Sequence, residues 1–129
     1  MVNKMDKDKV NKITEKIIDA AFQVSNTLGC GFLEKVYENS LCFELKKRNI
    51  RFDQQKPTNV YYHNEVVGEY FADLLVEDTV IVELKTTKSI NEIHEAQLLN
   101  YLKAADKRVG LLFNFAKPKL EIKRMVNGF

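Results

Sequence analysis

Four residues of this chain carry types and spacings that could do chemistry: Asp73, Glu83, Lys85 and Glu34. The first three lie in "YFADLLVEDTVIVELK". Side chains alternate along a strand, so Phe71, Asp73 and Leu75 are expected on one face, and Ile81, Glu83 and Lys85 on one face of the next strand. If a three-residue turn, Glu77-Asp78-Thr79, joins the strands, Asp73 sits directly opposite Glu83 and both point the same way. A two-residue turn would shift the register by one and send Glu83 to the other face. Two carboxylates this close repel, and one takes up a proton unless a cation intervenes. Lys85 offers one positive charge and a divalent metal offers more. Mg²⁺ takes hard oxygen ligands, usually one or two carboxylates with waters retained, at about 2.0–2.1 Å.

A third acid comes from "GFLEKVYENSL", residues 31–41. Wound at about 3.6 residues per turn, this stretch puts Glu34, Tyr37, Glu38, Leu41 and Leu45 on one stripe. The two leucines make that stripe core-facing. Glu34 would complete an acidic site, directly or through water. Plainer readings exist for each residue. "ELK" at a strand end is common, and Asp73 beside Lys85 makes a simple ion pair. Glu34 suits the first turn of its own helix, where acids are favoured. Glu38 reads as the partner of a nearby base. The acids and the lysine gain weight jointly, because one αβββ arrangement brings them together.

A later helix, "NEIHEAQLLNYLKAA", places His94, Gln97, Leu98 and Tyr101 on or near one face. Gln97 and Tyr101, spaced i and i+4, could reach toward the end of the long hairpin. The bland alternative is packing, with Tyr101 half-buried and its hydroxyl wet. His94 reads as a surface histidine and His63 falls at a turn, which argues against a histidine metal site or a triad. "GCG" follows a helix rather than a strand, so it is not a phosphate loop.

These residues need elements to position them. Val10, Ile13, Ile17, Ala20, Ala21, Val24 and Leu28 recur at helical spacing, and Gly29 suits the residue after a helix end. A second helix is expected from about Leu33 to Arg48, with Lys46, Lys47 and Arg48 in its last turn. "IRF", "TNVYYH", "VVGEYFADLLV" and "TVIVELK" are rich in β-branched and aromatic residues, with turns at Asn64-Glu65 and Glu77-Asp78. The third helix has Ser89 or Asn91 as its cap. "RVGLLFNFA" reads as a strand buried on both faces and "KLEIKRMV" as a strand nearer an edge. The order is α-α-β-β-β-α-β-β, an α/β fold with a mixed central sheet flanked by helices.

The length of 129 residues suits one domain over residues 1–129, with 45% hydrophobic and 29% charged residues. No window approaches the ~18 apolar residues of a membrane span. The N-terminal "MVNKMDKDKVNK" lacks the apolar core of a signal peptide. Cys30 and Cys42 show neither metal spacing nor a disulfide framework, so reduced thiols, a cytoplasmic location and no membrane association are expected. The net charge of +2 is unevenly shared: residues 1–83 hold 11 Lys/Arg and 14 Asp/Glu, and residues 84–129 hold 9 and 4. The basic C-terminal part could face phosphates or simply be a solvated face.

Asp73, then Glu83-Leu84-Lys85, then Gln97-x-x-x-Tyr101, behind a helix carrying Glu34, resembles the PD-(D/E)XK nuclease superfamily. "GFLEKVY" (Gly31, Glu34, Tyr37) is similar to the signature of its small GxxExxY family, and the likeness runs from the first helix to "LEIKRMV". Ala72 stands where the superfamily's first motif often has proline. The resemblance implies a restriction-endonuclease-like αβββαβ core and phosphodiester cleavage dependent on Mg²⁺ (or Mn²⁺). It implies that Asp73 and Glu83 bind metal, with the Leu84 main-chain carbonyl and Glu34 as further ligands. Lys85 would position or help deprotonate the attacking water. Gln97 and Tyr101 would support the site or touch the nucleic-acid backbone. The implied partner is nucleic acid, DNA ahead of RNA. A homodimer, a protein partner or recognition of structure would stand in for the missing DNA-reading module. The alternative is a non-catalytic binding or assembly module on the same fold, to which the modest net charge points.

Overall fold

The computed structural model describes residues 4–129, with side chains from residue 7 onward; residues 1–3 of the N-terminal stretch lie outside it. The elements run α1 Lys4–Leu28, α2 Glu34–Lys47, β1 Phe52–Tyr62, β2 Glu65–Val76, β3 Val80–Lys85, α3 Glu92–Ala105, β4 Val109–Asn114 and β5 Glu121–Val126. This is the expected order and an α/β fold. The two runs expected around residues 50–52 and 58–63 are one continuous strand, β1.

The sheet has five strands in the order β1-β2-β3-β4-β5. β1–β2, β2–β3 and β4–β5 are antiparallel, and β3–β4 are parallel across the α3 crossover. A parallel neighbour and a helix on each face leave β4 no wet side, and all six of its residues are buried. β5 lies at an edge, as its alternation suggests.

Helices α1 and α2 cover one face. Ile17, Ala20, Ala21, Val24, Leu41 and Leu45 pack there against Leu74, Val76, Val82, Leu84, Leu111 and Phe113. Helix α3 covers the other, where Leu98 and Leu102 meet Leu75, Ile81 and Leu112. α3 sits close to the sheet because Gly110 lies beneath it: a Cβ there would be 2.9 Å from both Leu98 methyls.

Two turns set the registers. His63 and Asn64 both have positive φ, and Tyr62 pairs with Glu65, making a two-residue hairpin of the primed kind. The turn is one residue earlier than the expected Asn64-Glu65. Val76 pairs with Val80, so Glu77, Asp78 and Thr79 form the expected three-residue turn.

One expectation fails. Phe71, Asp73 and Leu75 do not share a face. Phe71 is 47% exposed, whereas Tyr70 and Ala72 join Leu75 against α3. The ladder shows why. Gln54 pairs with Leu74 and Lys56 with Ala72, but the intervening Gln55–Asp73 pair is missing, and Gln55 has φ +55°. A left-handed residue breaks the pleat, so alternation restarts out of phase at Asp73.

Candidate metal and phosphodiester site

The β2–β3 register, Leu74 opposite Val82 and Leu75 opposite Ile81, carries on to place Asp73 opposite Glu83. The strands part at that point, and side chains take over from the ladder. The Leu84 N–H donates to Asp73 Oδ2 at 2.8 Å, and the Asp73 N–H donates to Glu83 Oε2 at 3.2 Å. The other Glu83 oxygen accepts the Tyr70 hydroxyl proton. Lys85 follows two residues later on the same strand, half-buried and outside every ion pair among the described residues. N–H and C=O of one strand residue point to the same edge. The Leu84 carbonyl therefore faces the edge on which its N–H meets Asp73, while the Lys85 carbonyl accepts from Phe115 on the other side at 3.0 Å.

Helix α2 brings Glu34 to this point. Its carboxyl is raised above the ordinary value, first by burial and then by the negative charge of Asp73, with Lys85 offsetting part of the rise. The loop before α2 is clamped. The buried Tyr37 hydroxyl donates to the Gly29 carbonyl at 2.7 Å and accepts the Phe32 N–H at 3.2 Å. Its ring stacks on Phe115 with centroids 4.7 Å apart. Gly29 and Gly31 both have positive φ, which the corner requires.

Glu38, one turn along α2, is buried and makes four side-chain contacts. It accepts from Lys35 at 2.9 Å, Gln54 at 2.6 Å and Gln55 at 3.2 Å on each oxygen. Burial alone would raise its carboxyl, but the bonds from Gln54, Lys35 and Gln55 outweigh that and hold it below the usual value. The base expected beside Glu38 is thus Lys35, with two amides added. Gln55 also donates to Asp73 Oδ1 at 3.2 Å.

Glu83 is in the opposite state. Burial, then the charge of Asp73, pushes it up to about 8, against a smaller lowering by the Tyr70 hydrogen bond. The Tyr70 hydroxyl is raised by burial and by Glu83. Its ring stacks on Tyr101 with planes 12° apart. Tyr101 therefore reaches the acids through Tyr70, while Gln97 is exposed and has no side-chain hydrogen bond among the described residues. His94 is not idle: its Nδ1 accepts the Asn91 N–H at 3.2 Å, closing a capping box at the start of α3. Of the two expected caps, Asn91 is the one used.

Gln55 and Tyr70 were not singled out from the sequence. A glutamine and a tyrosine in strands read as ordinary surface and core. Asn114 was missed too. Fully buried, it donates to the Thr87 carbonyl at 2.8 Å and to Glu121 at 2.9 Å, and accepts the Thr87 N–H at 3.1 Å. Glu121 in turn accepts the Ile90 N–H at 3.1 Å. The loop leaving Lys85 is pinned by this network.

The donor set fits a hard divalent cation in kind. Its oxygens are carboxylates, and burial together with the charge of Asp73 holds Glu83 toward its protonated form. As assembled, no group of three His, Cys, Asp or Glu side chains among the described residues is arranged to hold a metal. Both Glu83 oxygens are committed to Tyr70 and to the Asp73 N–H, so Glu83 must release a proton and turn. A concavity of about 850 Å³ lies elsewhere: Lys46, Asn49–Asp53 and the Glu77-Asp78 turn line it, at the far end of the β2–β3 hairpin. The acids lie instead where β2 and β3 part, Glu83 buried and Asp73 half-buried.

No helix of the described residues is long and apolar enough to cross a membrane. A comparison with curated protein sequences found no match. Among solved structures, the crystal structure of SSO0001 is similar in fold, with a TM-score of 0.58 and 18% identity over 74% of this chain. The chain spans about half of that protein, 51% of its length. A family model for the PD-(D/E)XK nuclease superfamily matches residues 11–125, from α1 to the end of β5. With its mixed sheet flanked by helices and its strand-borne acids, the chain belongs to the PD-(D/E)XK nuclease superfamily.

Proposed function

We propose that this chain is a cytoplasmic, divalent-metal-dependent nuclease of the GxxExxY type. In this reading residues 1–129 form one domain that hydrolyses nucleic-acid phosphodiesters, DNA ahead of RNA. One observation carries the reading: Asp73 is hydrogen-bonded to Glu83 and to the Leu84 N–H, Lys85 follows on the same strand, and Glu34 at the start of α2 feels the charges of Asp73 and Lys85. Asp73 and Glu83 hold the metal, with the Leu84 carbonyl and Glu34 completing the oxygen set directly or through water. A bound Mg²⁺ or Mn²⁺ supplies water activation and charge neutralisation at the phosphoryl oxygens. Lys85 keeps a free ammonium beside the acids, where it orients the attacking water and balances phosphate charge. Gln55 fixes Asp73, and the Tyr70–Tyr101 stack fixes Glu83. Gln97, exposed on α3, is left for contact with the strand.

The test is cleavage of a mixed pool of DNA and RNA with Mg²⁺ or Mn²⁺. Lys85→Ala is expected to abolish cleavage while keeping the wild-type melting temperature, and a fully active variant sinks the assignment. Asp73→Asn is expected to lose the metal-induced melting shift. A site filled at 100 times its Kd adds about 2.7 kcal/mol. The second reading, a non-catalytic binding module, is favoured by the commitment of both Glu83 oxygens inside the protein. It predicts no melting shift with metal and no cleavage.

A further inference from the structure

Resting on that reading, we propose that the Phe32-Leu33 tip is an apolar wedge. It selects nucleic acid whose bases are already unpaired beside the scissile phosphate: a fork, a flap or a single strand. Leu33 is 81% exposed, the most exposed of the large hydrophobic residues in the described chain, and Phe32 is 48% exposed. Neither burial nor helix formation explains Leu33. It occupies the N-cap of α2 and gives no side-chain cap, at a position where Ser, Thr, Asp and Asn are preferred.

The tip is held in place. Tyr37 bonds Gly29 and Phe32 on either side of Gly31, and the Phe32 ring lies edge-on to the Tyr37 ring at 6.1 Å. The next residue is Glu34, whose carboxyl senses Asp73 and Lys85. An anchored apolar point thus stands one residue from Glu34. Apolar side chains of this kind insert between base steps, and aromatic rings stack on exposed bases. A closed duplex hides base faces, whereas an open step presents them. With a net charge of only +2 on the whole chain, a non-ionic contact adds to the affinity that the basic residues supply.

The experiment compares binding of a forked DNA and a fully paired duplex of the same sequence, without metal, by fluorescence anisotropy. Wild type and Leu33→Ser are measured side by side with their melting temperatures and sedimentation. Wild type is expected to bind the fork at least tenfold tighter than the duplex. Leu33→Ser is expected to lose most of that preference, with unchanged duplex affinity and a melting temperature no lower than wild type. A fork preference that survives in Leu33→Ser overturns the wedge while leaving the nuclease reading intact. So does an equal loss on both DNAs, or a change only in self-association. Wild type that binds neither DNA and cuts nothing overturns the nuclease reading itself. If Leu33→Ser fails to fold, Leu33→Asn, another capping residue, is the second variant. Failure of both makes Leu33 structural and overturns the proposal.

Discussion

Glu38 and Glu83 are both buried glutamates, one on each side of Asp73, and they are held in opposite charge states. Around Glu38 the protein supplies a lysine and two glutamine amides, so the carboxylate stays ionised. Around Glu83, burial and the negative charge of Asp73 outweigh one hydroxyl and one N–H, so the carboxyl is held toward its protonated form. Gln55 joins the two regions through Glu38 and Asp73. The difference separates a carboxylate the fold has satisfied from one it has left short of positive charge. On the proposed function, the first belongs to stability and the second to the site.

The two glutamates differ most in how they respond to pH. In the folded protein without metal, burial and the charge of Asp73 push Glu83 up to about 8, against an ordinary value of 4.5. Between those values the folded state holds a proton that the unfolded state has released, so stability falls as pH rises. At about 1.4 kcal/mol per pH unit the loss reaches several kcal/mol, and it levels off above pH ~8. Denaturant melts of wild type against Glu83→Gln should show the fall in wild type and its removal in the variant. A pH-independent difference between them would break the contrast.

Glu38→Ala should cost about 3 kcal/mol, because it strands the Gln54 and Gln55 amides and a lysine around a buried gap. Urea titration at pH 7 measures it, and a cost below about 1 kcal/mol would place Glu38 with ordinary surface acids. The smallest effect is expected for Tyr70→Phe, at about 1 kcal/mol of stability. Its informative readout is the Glu83 titration followed by carbon NMR. The Tyr70 hydroxyl favours the ionised form, so its removal should move the midpoint upward. A downward move would mean that Tyr70 holds the protonated form instead.

Much of this arrangement is legible in the sequence, for physical reasons specific to each part. Helical spacing from Val10 to Leu28 and the nearly continuous apolar run in "RVGLLFNFA" are strong local signals. The three residues Glu77-Asp78-Thr79 determine the side on which Glu83 falls, and hence the pairing with Asp73. The rest depends on contacts distant in sequence. Gln55 adopts φ +55° without being glycine, and nothing local announces the phase change it imposes on Phe71 and Ala72. Lys35 is within reach of Glu38 on one helix, but Gln54 and Gln55 arrive from another element. Asn91 is an ordinary cap, whereas His94 as its reciprocal partner departs from the usual Glu or Gln.

The missing pair between Gln55 and Asp73 has a consequence for the outer part of the β1–β2 hairpin. Beyond the gap, Glu65–Glu69 of β2 are exposed, and a register shift between Val60 and Tyr61 loosens the ladder again. Inside the gap, Leu74–Val76 are buried under helices on both faces. The two segments of one strand are thus separate opening units. Amides of the outer hairpin should exchange with solvent deuterium as a group, well before those of Leu74–Val76 and β3. Thermal excursions of the arm then dissipate at Asp73 rather than running on into the sheet.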